Sequence, residues 1–438
     1  MRNYPTIGLQ APDLLLPKSD INLTCWSVVA CDQFTAQPEY WQRVEEKTEG
    51  VPSTYHLMLP EAYLGSAKAD EHQARVNQTM SKYLEGGVFR AVEGFTYIER
   101  ETSTGVRQGL IAALDLDCYD FSPESTSLIR ATEGTIVDRL PPRIAIRKDA
   151  PLELPHILVL IDDPDFSVIQ PIGKNKKELD KLYEFNLMEG GGAICGYHVN
   201  QPSIEEQLVL ALQKLKSAER QTKRYGISEH PLLYAVGDGN HSLATAKSIW
   251  EMMKSDVPSN HPARYALVEI VNLHDPSIVF EPIHRVAMHV EFNFEKEIKT
   301  FFNEEIEIST QDNPAKLRGI VEDQQSEYQL FGFIFEGNAK TIKITNPPHT
   351  LAVGSLQRFL DSMKDKYTSM EIDYIHGDQA ITELSAMPGN AGFVLPAMGK
   401  YKLFEAVLKN GPLPRKTFSM GEAKDKRYYL ECRKINEN

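Results

Sequence analysis

The residues best able to do chemistry stand in one stretch, Val236-Gly237-Asp238-Gly239-Asn240-His241-Ser242. An apolar run of buried-strand type, Leu232 to Val236, leads into it. Leu243, Ala246, Ile249, Trp250 and Met253 follow at the spacing of one helix face. A strand that turns directly into a helix offers unpaired N–H groups and the positive end of the helix dipole, which suits an anion such as phosphate. Gly237 and Gly239 allow a sharp turn and close backbone approach to a ligand. Asp238 has the chemistry of an acceptor, a metal ligand or a base, and His241 can move a proton near neutral pH. The plainer alternative is a tight turn whose helix is capped by Asn240 or Ser242. The glycine spacing is not that of a P-loop or a dinucleotide fingerprint, and Ser242 lacks the elbow of a hydrolase nucleophile.

Other polar groups carry weaker signals. His284-Arg285 ends a strand pattern and suits a buried ion pair as well as a ligand contact. Asp162-Asp163-Pro164-Asp165 reads as an ordinary turn. Gly190-Gly191-Gly192 has no lysine beside it and reads as a flexible loop. His156, His198, His274 and His376 are scattered without metal-ligand spacing and receive no role. Trp26, Trp41 and Trp250 sit in apolar patterns and are expected in the core.

The elements that must position these groups are mixed. Strands are expected at Cys25 to Ala30, Phe95 to Glu101, Arg107 to Leu116, His156 to Ile161, Tyr265 to Leu273 and Val279 to Val286. Helices are expected from Pro38, over 61–86, over 203–218 and after the glycine turn. Charge and Asn density rise from Glu291 to Gln325, where a boundary is expected. Beyond it come a hairpin across Glu336-Gly337-Asn338, strands near 371–376 and 391–395, and a last strand from Arg427 to Arg433.

A chain of 438 residues corresponds to about two or three domains. A net charge of −14 argues against nucleic acid or an anionic membrane as partner and leaves room for a small-molecule substrate. The five cysteines form no C-x-x-C pair, so free thiols are expected. No run approaches the roughly 20 apolar residues of a membrane span, and a cytoplasmic location is expected. The oligomeric state is left open.

Several segments, taken in order, resemble the bacterial family catalogued as domain of unknown function ten-fifteen. Its Arg-Pro-His-Glu-x-Thr and Asp-Arg segment is similar to Arg130-Ala131-Thr132-Glu133-Gly134-Thr135 with Asp138-Arg139. Its Asp-Asp-Pro strand end is similar to Ile161-Asp162-Asp163-Pro164, and its Ala-Asp-Gly-His-His-Arg turn to the stretch at Gly237. Its Pro-Thr-His-Arg resembles Pro282-Ile283-His284-Arg285, and its Met-Pro-x-Lys-Ser-Thr-x-Phe resembles Leu413 to Phe418. A more distant similarity is to free-serine kinases of ParB/sulfiredoxin-like fold, which share the Asp-Gly-His-His-Arg turn and an upstream Pro-His-Glu.

The resemblance implies a mixed α/β (α+β) fold with a ParB/sulfiredoxin-like core at 126–290, an N-terminal subdomain at 1–125 and a C-terminal one at 291–438. It implies a small-molecule phosphotransferase acting on serine or a related hydroxyl metabolite, with ADP or ATP as donor and Mg²⁺. By it, Glu133 is the base, Asp238 holds the metal or orients the nucleophile, and His241 completes the catalytic set. Gly237, Gly239, Asn240, Ser242, Arg139, Lys416 and Thr417 would hold phosphate or nucleotide, and His284 and Arg285 the substrate. The chain departs from the pattern at Asn240 (His in the pattern), Ser242 (Arg) and Thr132 (His). These departures open two alternatives, a noncatalytic nucleotide or metabolite sensor and a phosphoserine phosphatase-like hydrolase.

Overall fold

The computed structural model describes residues 2–35, 37–135, 137, 140–154, 156–227, 229–322 and 328–436. Arg139, together with Asp138, lies outside them. The chain forms two compact units, one of 1–279 with 407–412 and 421–438, the other of 280–406 with 413–420.

In chain order the first unit contains α1 (Pro38–Thr48), α2 (Ala67–Glu85), β1 (Phe95–Thr102), β2 (Gly105–Asp115), β3 (Tyr119–Asp120), β4 (Ile129–Ala131), α3 (Leu140–Arg147), β5 (Leu158–Ile161), β6 (Lys181–Asn186), β7 (Ala193–Val199), α4 (Pro202–Lys216), β8 (Tyr234–Asp238), α5 (Asn240–Met253) and β9 (Tyr265–Asn272). One mixed sheet runs β6-β7-β1-β2-β9-β5-β8-β4-β3. The boundary expected at 125/126 is corrected by this sheet, because β2 from one side of it pairs with β9 from the other along Tyr265 to Val271. Strand pairing across the proposed boundary makes one core of two expected subdomains.

Both faces of the sheet are covered, which is why its central strands are nearly all apolar. Ala266, Val268 and Ile270 of β9 face one core with Leu208 and Leu212 of α4 and Leu243 and Trp250 of α5. Leu267 points the other way, with Ile98, Ile111 and Val76 and Met80 of α2, as the two-residue strand period requires. Trp26, Trp41 and Trp250 are buried, as expected.

Three expected elements differ. Leu23–Trp26 is a helical turn capped by Asn22, which accepts from Thr24 N and Cys25 N, so the chain is extended only from Ser27. The helix over 61–86 is two pieces, a short turn at Glu61–Tyr63 and α2, separated at Gly65 with φ +78°. The last strand is continuous only at Arg433–Lys434; before it the segment makes single bridges, Val29 with Arg427 and Leu15 with Cys432.

The second unit contains β10 (Phe280–Met288), β11 (Ile306–Gln311), β12 (Gln329–Phe335), β13 (Asn338–Ile344), α6 (Ala352–Lys366), β14 (Glu371–His376), α7 (Asp378–Ser385), β15 (Ala391–Val394) and β16 (Phe418–Met420). Its sheet runs β11-β13-β12-β15-β10-β14, with β16 on β10. The hairpin across Glu336-Gly337 is as expected, with Phe335 opposite Asn338. The boundary expected at 291 falls earlier, at Phe280, because β10 belongs to this second sheet.

Candidate functional site

The site grows from one edge of the first sheet. β4 and β8 are parallel, and their last pair is Ala131 with Val236. Thr132, where the family pattern has His, is buried and donates its hydroxyl to Val236 O at 2.6 Å. Glu133 and Asp238 each stand two residues beyond that last pair, so both lie at the same end of the two strands. β5 runs antiparallel to β8, with Leu158 opposite Asp238. His156, two residues before Leu158, therefore arrives at this edge too.

Gly239 makes the turn into α5. Its φ is +81°, and a Cβ there would lie 3.0 Å from Ile157 Cα. Gly237 is still in the strand, so only one of the two glycines does what both were expected to do. No side chain caps α5. The capping role considered for Asn240 and Ser242 is thus corrected: Asn240 Nδ2 lies 3.5 Å from Val236 O, and Ser242 Oγ lies 3.1 Å from His156 Nε2. The Asp238 carboxylate instead accepts from Gly239 N at 2.7 Å. His241, half-buried on the first turn, accepts at its carbonyl from Thr245 Oγ1 at 2.7 Å.

Two charged residues given no role by the sequence complete the edge. Lys426 Nζ lies 2.8 Å from Asp238 Oδ1 and 2.5 Å from Asp32 Oδ2. The segments that carry them pair along their backbones, Ala30 N donating to Lys426 O at 2.8 Å and Tyr428 N to Val28 O at 3.0 Å. Burial opposes the charge on Lys426, but Asp238 and then Asp32 outweigh it and raise the ammonium. Burial likewise opposes ionisation of Asp32, but Lys426 and then His156 hold its carboxyl below the usual range. Burial pushes the His156 imidazole down to about 4, so it is neutral at pH 7. His156 Nδ1 is buried without a hydrogen-bond partner, so the Ser242–His156 pair lacks the acidic third member of a hydrolase triad. Asn240 Oδ1 is buried without a partner as well.

The carboxylates at this edge do not fit a resident divalent ion. Asp238 and Asp32 share the Lys426 ammonium, which stands where a metal bridging them would stand. Among the described residues no group of three or more His, Cys, Asp or Glu converges on one point. A hard cation such as Mg²⁺ takes several oxygen ligands.

A pocket of about 220 Å³ opens beside the first turn of α5. Ser242, Thr245 and His156 form one wall, and Leu57, Met58, Ile146 and Leu154 are among the aliphatic residues of the others. Cys31 also lines it, its thiol pushed up to about 12 by burial and then by Asp32.

The remaining expected site residues belong to the second unit. His284 is buried, its Nε2 2.9 Å from Asp378 Oδ1 and its Nδ1 accepting from Leu395 N at 3.1 Å. Arg285 is fully buried and donates to Ile283 O, to Gln357 Oε1 and to Arg415 O. Thr417 donates to Pro414 O, and Lys416 has a positive φ of 57°. These contacts of His284, Arg285 and Thr417 are made within that unit. Asp163 behaves as the turn residue it was read as, accepting from Ser167 N at 2.6 Å and Val168 N at 2.9 Å. The glycine run at 190–192 is packed rather than loose at Gly191, where a Cβ would meet the Arg427 guanidinium at 2.6 Å.

A family model described as "Protein of unknown function (DUF1015)" matches residues 13–363, well over half of the chain. The chain belongs to this family. No curated protein matches it. Among solved structures it is similar to a free serine kinase in complex with AMP, at 12% identity and a TM-score of 0.40, over 73% of this chain and 91% of that one. A conserved hypothetical protein from Pyrococcus furiosus is similar at 14% identity and a TM-score of 0.35, over 71% and 90% of the two chains. SbnI from Staphylococcus aureus, with a C-terminal truncation, is similar at 10% identity and a TM-score of 0.34, over 71% and 82%. The likeness is distant in each case. The family match ends before Lys426, which lies in the segment that carries part of the site. Among the described residues no helix is long and apolar enough to cross a membrane.

Proposed function

We propose that this member of the family is a small-molecule phosphotransferase that moves a phosphoryl group from a nucleotide to a hydroxyl. The observation that carries the reading is the shared end of β4 and β8, at which Glu133 and Asp238 both stand beside the uncapped start of α5. Phosphoryl transfer asks mainly for positioning and charge neutralisation. In this reading the first turn of α5 receives the phosphate, aided by the polar ends of Asn240 and Ser242. Glu133 takes the proton as the substrate oxygen bonds to phosphorus and the bond from phosphorus to the leaving nucleotide oxygen breaks. Asp238, fixed by Lys426 and Gly239 N, orients the incoming hydroxyl. The Lys426 ammonium supplies the positive charge at that edge. ADP or ATP is the proposed donor, and any Mg²⁺ would arrive on the nucleotide's phosphates.

Two observations favour a second reading, a sensor that binds nucleotide or metabolite without chemistry. Asp238 is already paired with Lys426, and Ser242 stands where the family pattern has the phosphate-forking Arg. Phosphorus NMR separates the two. The full chain is given Mg²⁺ with ADP or ATP and a mixture of hydroxyl compounds that includes L-serine and longer-chain homologues. A new phosphomonoester resonance that Glu133→Gln abolishes, with nucleotide still bound, is the expected result. Nucleotide binding without consumption in any mixture would sink the enzyme reading and leave the sensor.

A further inference from the structure

The pocket beside α5 bears on what the site accepts, given the reading of the turn as a phosphate cradle. Ser242 belongs both to the first helical turn and to the pocket wall, so a ligand whose head reaches the turn has its body in the pocket. The far walls are aliphatic, with Leu57, Met58, Met80, Ile146 and Leu154 among them. Among the polar side chains that also line it, His156 Nδ1 is without a hydrogen-bond partner, and the charged ones are paired. Thr54 donates to Trp26 O at 2.8 Å, Arg143 pairs with Glu61, and Arg147 pairs with Glu153 at 2.6 Å. An ammonium and carboxylate laid against the aliphatic walls would lose their hydration there, which is costly, whereas an apolar body would not.

We infer that the acceptor is an amphiphile, a hydroxyl or phosphate head joined to an apolar body, rather than free serine. An apolar cavity of about 150 Å³ holds benzene, so about 220 Å³ suits a body of roughly eight heavy atoms. Leu64 stands at the pocket with 57% of its surface exposed, and an aliphatic body entering there would cover it.

The test is calorimetric titration of the full chain with n-alkyl phosphates from ethyl to octyl and with n-alkanols of the same lengths. Affinity for the phosphates is expected to rise about four-fold per methylene and then level off, the buried-CH₂ value of about 0.8 kcal/mol converted at about 1.4 kcal/mol per tenfold. Leu64→Ser, at an exposed position that leaves folding unstressed and net charge unaltered, should flatten that rise with chain length. Phosphates that bind equally at every length would overturn the inference while keeping the cradle. Displacement of octyl phosphate by adenosine would overturn it too, by giving the pocket to the nucleotide base. Alkanols that bind with rising affinity while no phosphate binds would remove the cradle and uphold the apolar pocket.

Discussion

Lys426 is the residue on which the edge depends most. Its ammonium neutralises two carboxylates that would otherwise face each other, and removing one partner of a buried ion pair costs more than the pair contributes. Lys426→Met is expected to destabilise the first unit by about 2 kcal/mol in urea denaturation. That is below the roughly 3–5 kcal/mol of a fully buried pair, because the Asp238 side chain is 37% exposed. Adding Asp32→Asn should recover part of the loss. A double variant no more stable than Lys426→Met alone would show that Asp32 and Lys426 are not coupled. Glu133 is tested at the same scale by the phosphomonoester signal described above.

At the scale of elements, the turn and the C-terminal segment set the site. Gly239→Ala forces a left-handed residue to carry a Cβ and presses that atom on the Ile157 backbone. A loss of about 2 kcal/mol is expected in thermal or urea melts. Gly237→Ala, in the strand, serves as the comparison and should cost less. The C-terminal segment threads one charged or phenolic side chain after another into the first unit. Asp425 accepts from Ser103 at 2.8 Å, Arg427 donates to Met188 O at 2.8 Å, and Tyr429 is 2.6 Å from Arg107. Tyr183 donates to Glu431 at 2.7 Å, and Arg433 donates to Glu153 at 2.7 Å. A chain ended after Gly421 should therefore lose the cooperative melt of the first unit, although it retains the whole of the family match. A retained melt would show that the segment only decorates the fold.

For the whole molecule, two buried groups set opposing pH dependences. His156 titrates near 4 in the fold and near 6.5 unfolded, burial being the main cause. As pH falls from about 6.5 to 4 the unfolded chain takes up the proton first, so stability falls, by about 3 kcal/mol at the full shift. Glu431 titrates near 7 in the fold because burial raises it. Its contribution is full below the unfolded value of about 4.5 and is lost as pH rises through 7. Urea melts at pH 7.5 and 4.5 separate them. Relative to the parent, His156→Gln should lose less stability on acidification, and Glu431→Gln should lose more. If both variants track the parent at each pH, neither group controls the profile.

The sequence by itself determined the strand–turn–helix unit at Gly239, the hairpin across Glu336-Gly337, the amphipathic helices and the family. These rest on local chemistry: the two-residue period of a strand, the 3.6-residue period of a helix, and the freedom of glycine at positive φ. Only the tertiary structure decided that Glu133 and Asp238 lie at one end of two paired strands, because parallel pairing of β4 and β8 joins segments about a hundred residues apart. It alone brought in Asp32 and Lys426, which are 394 residues apart and form no local pattern. It also showed the hydrogen bonds that His284, Arg285 and Thr417 make within the second unit, which no local pattern specifies. Coulombic pairing and burial depend on distance in space rather than along the chain, so a period or a motif does not reveal them.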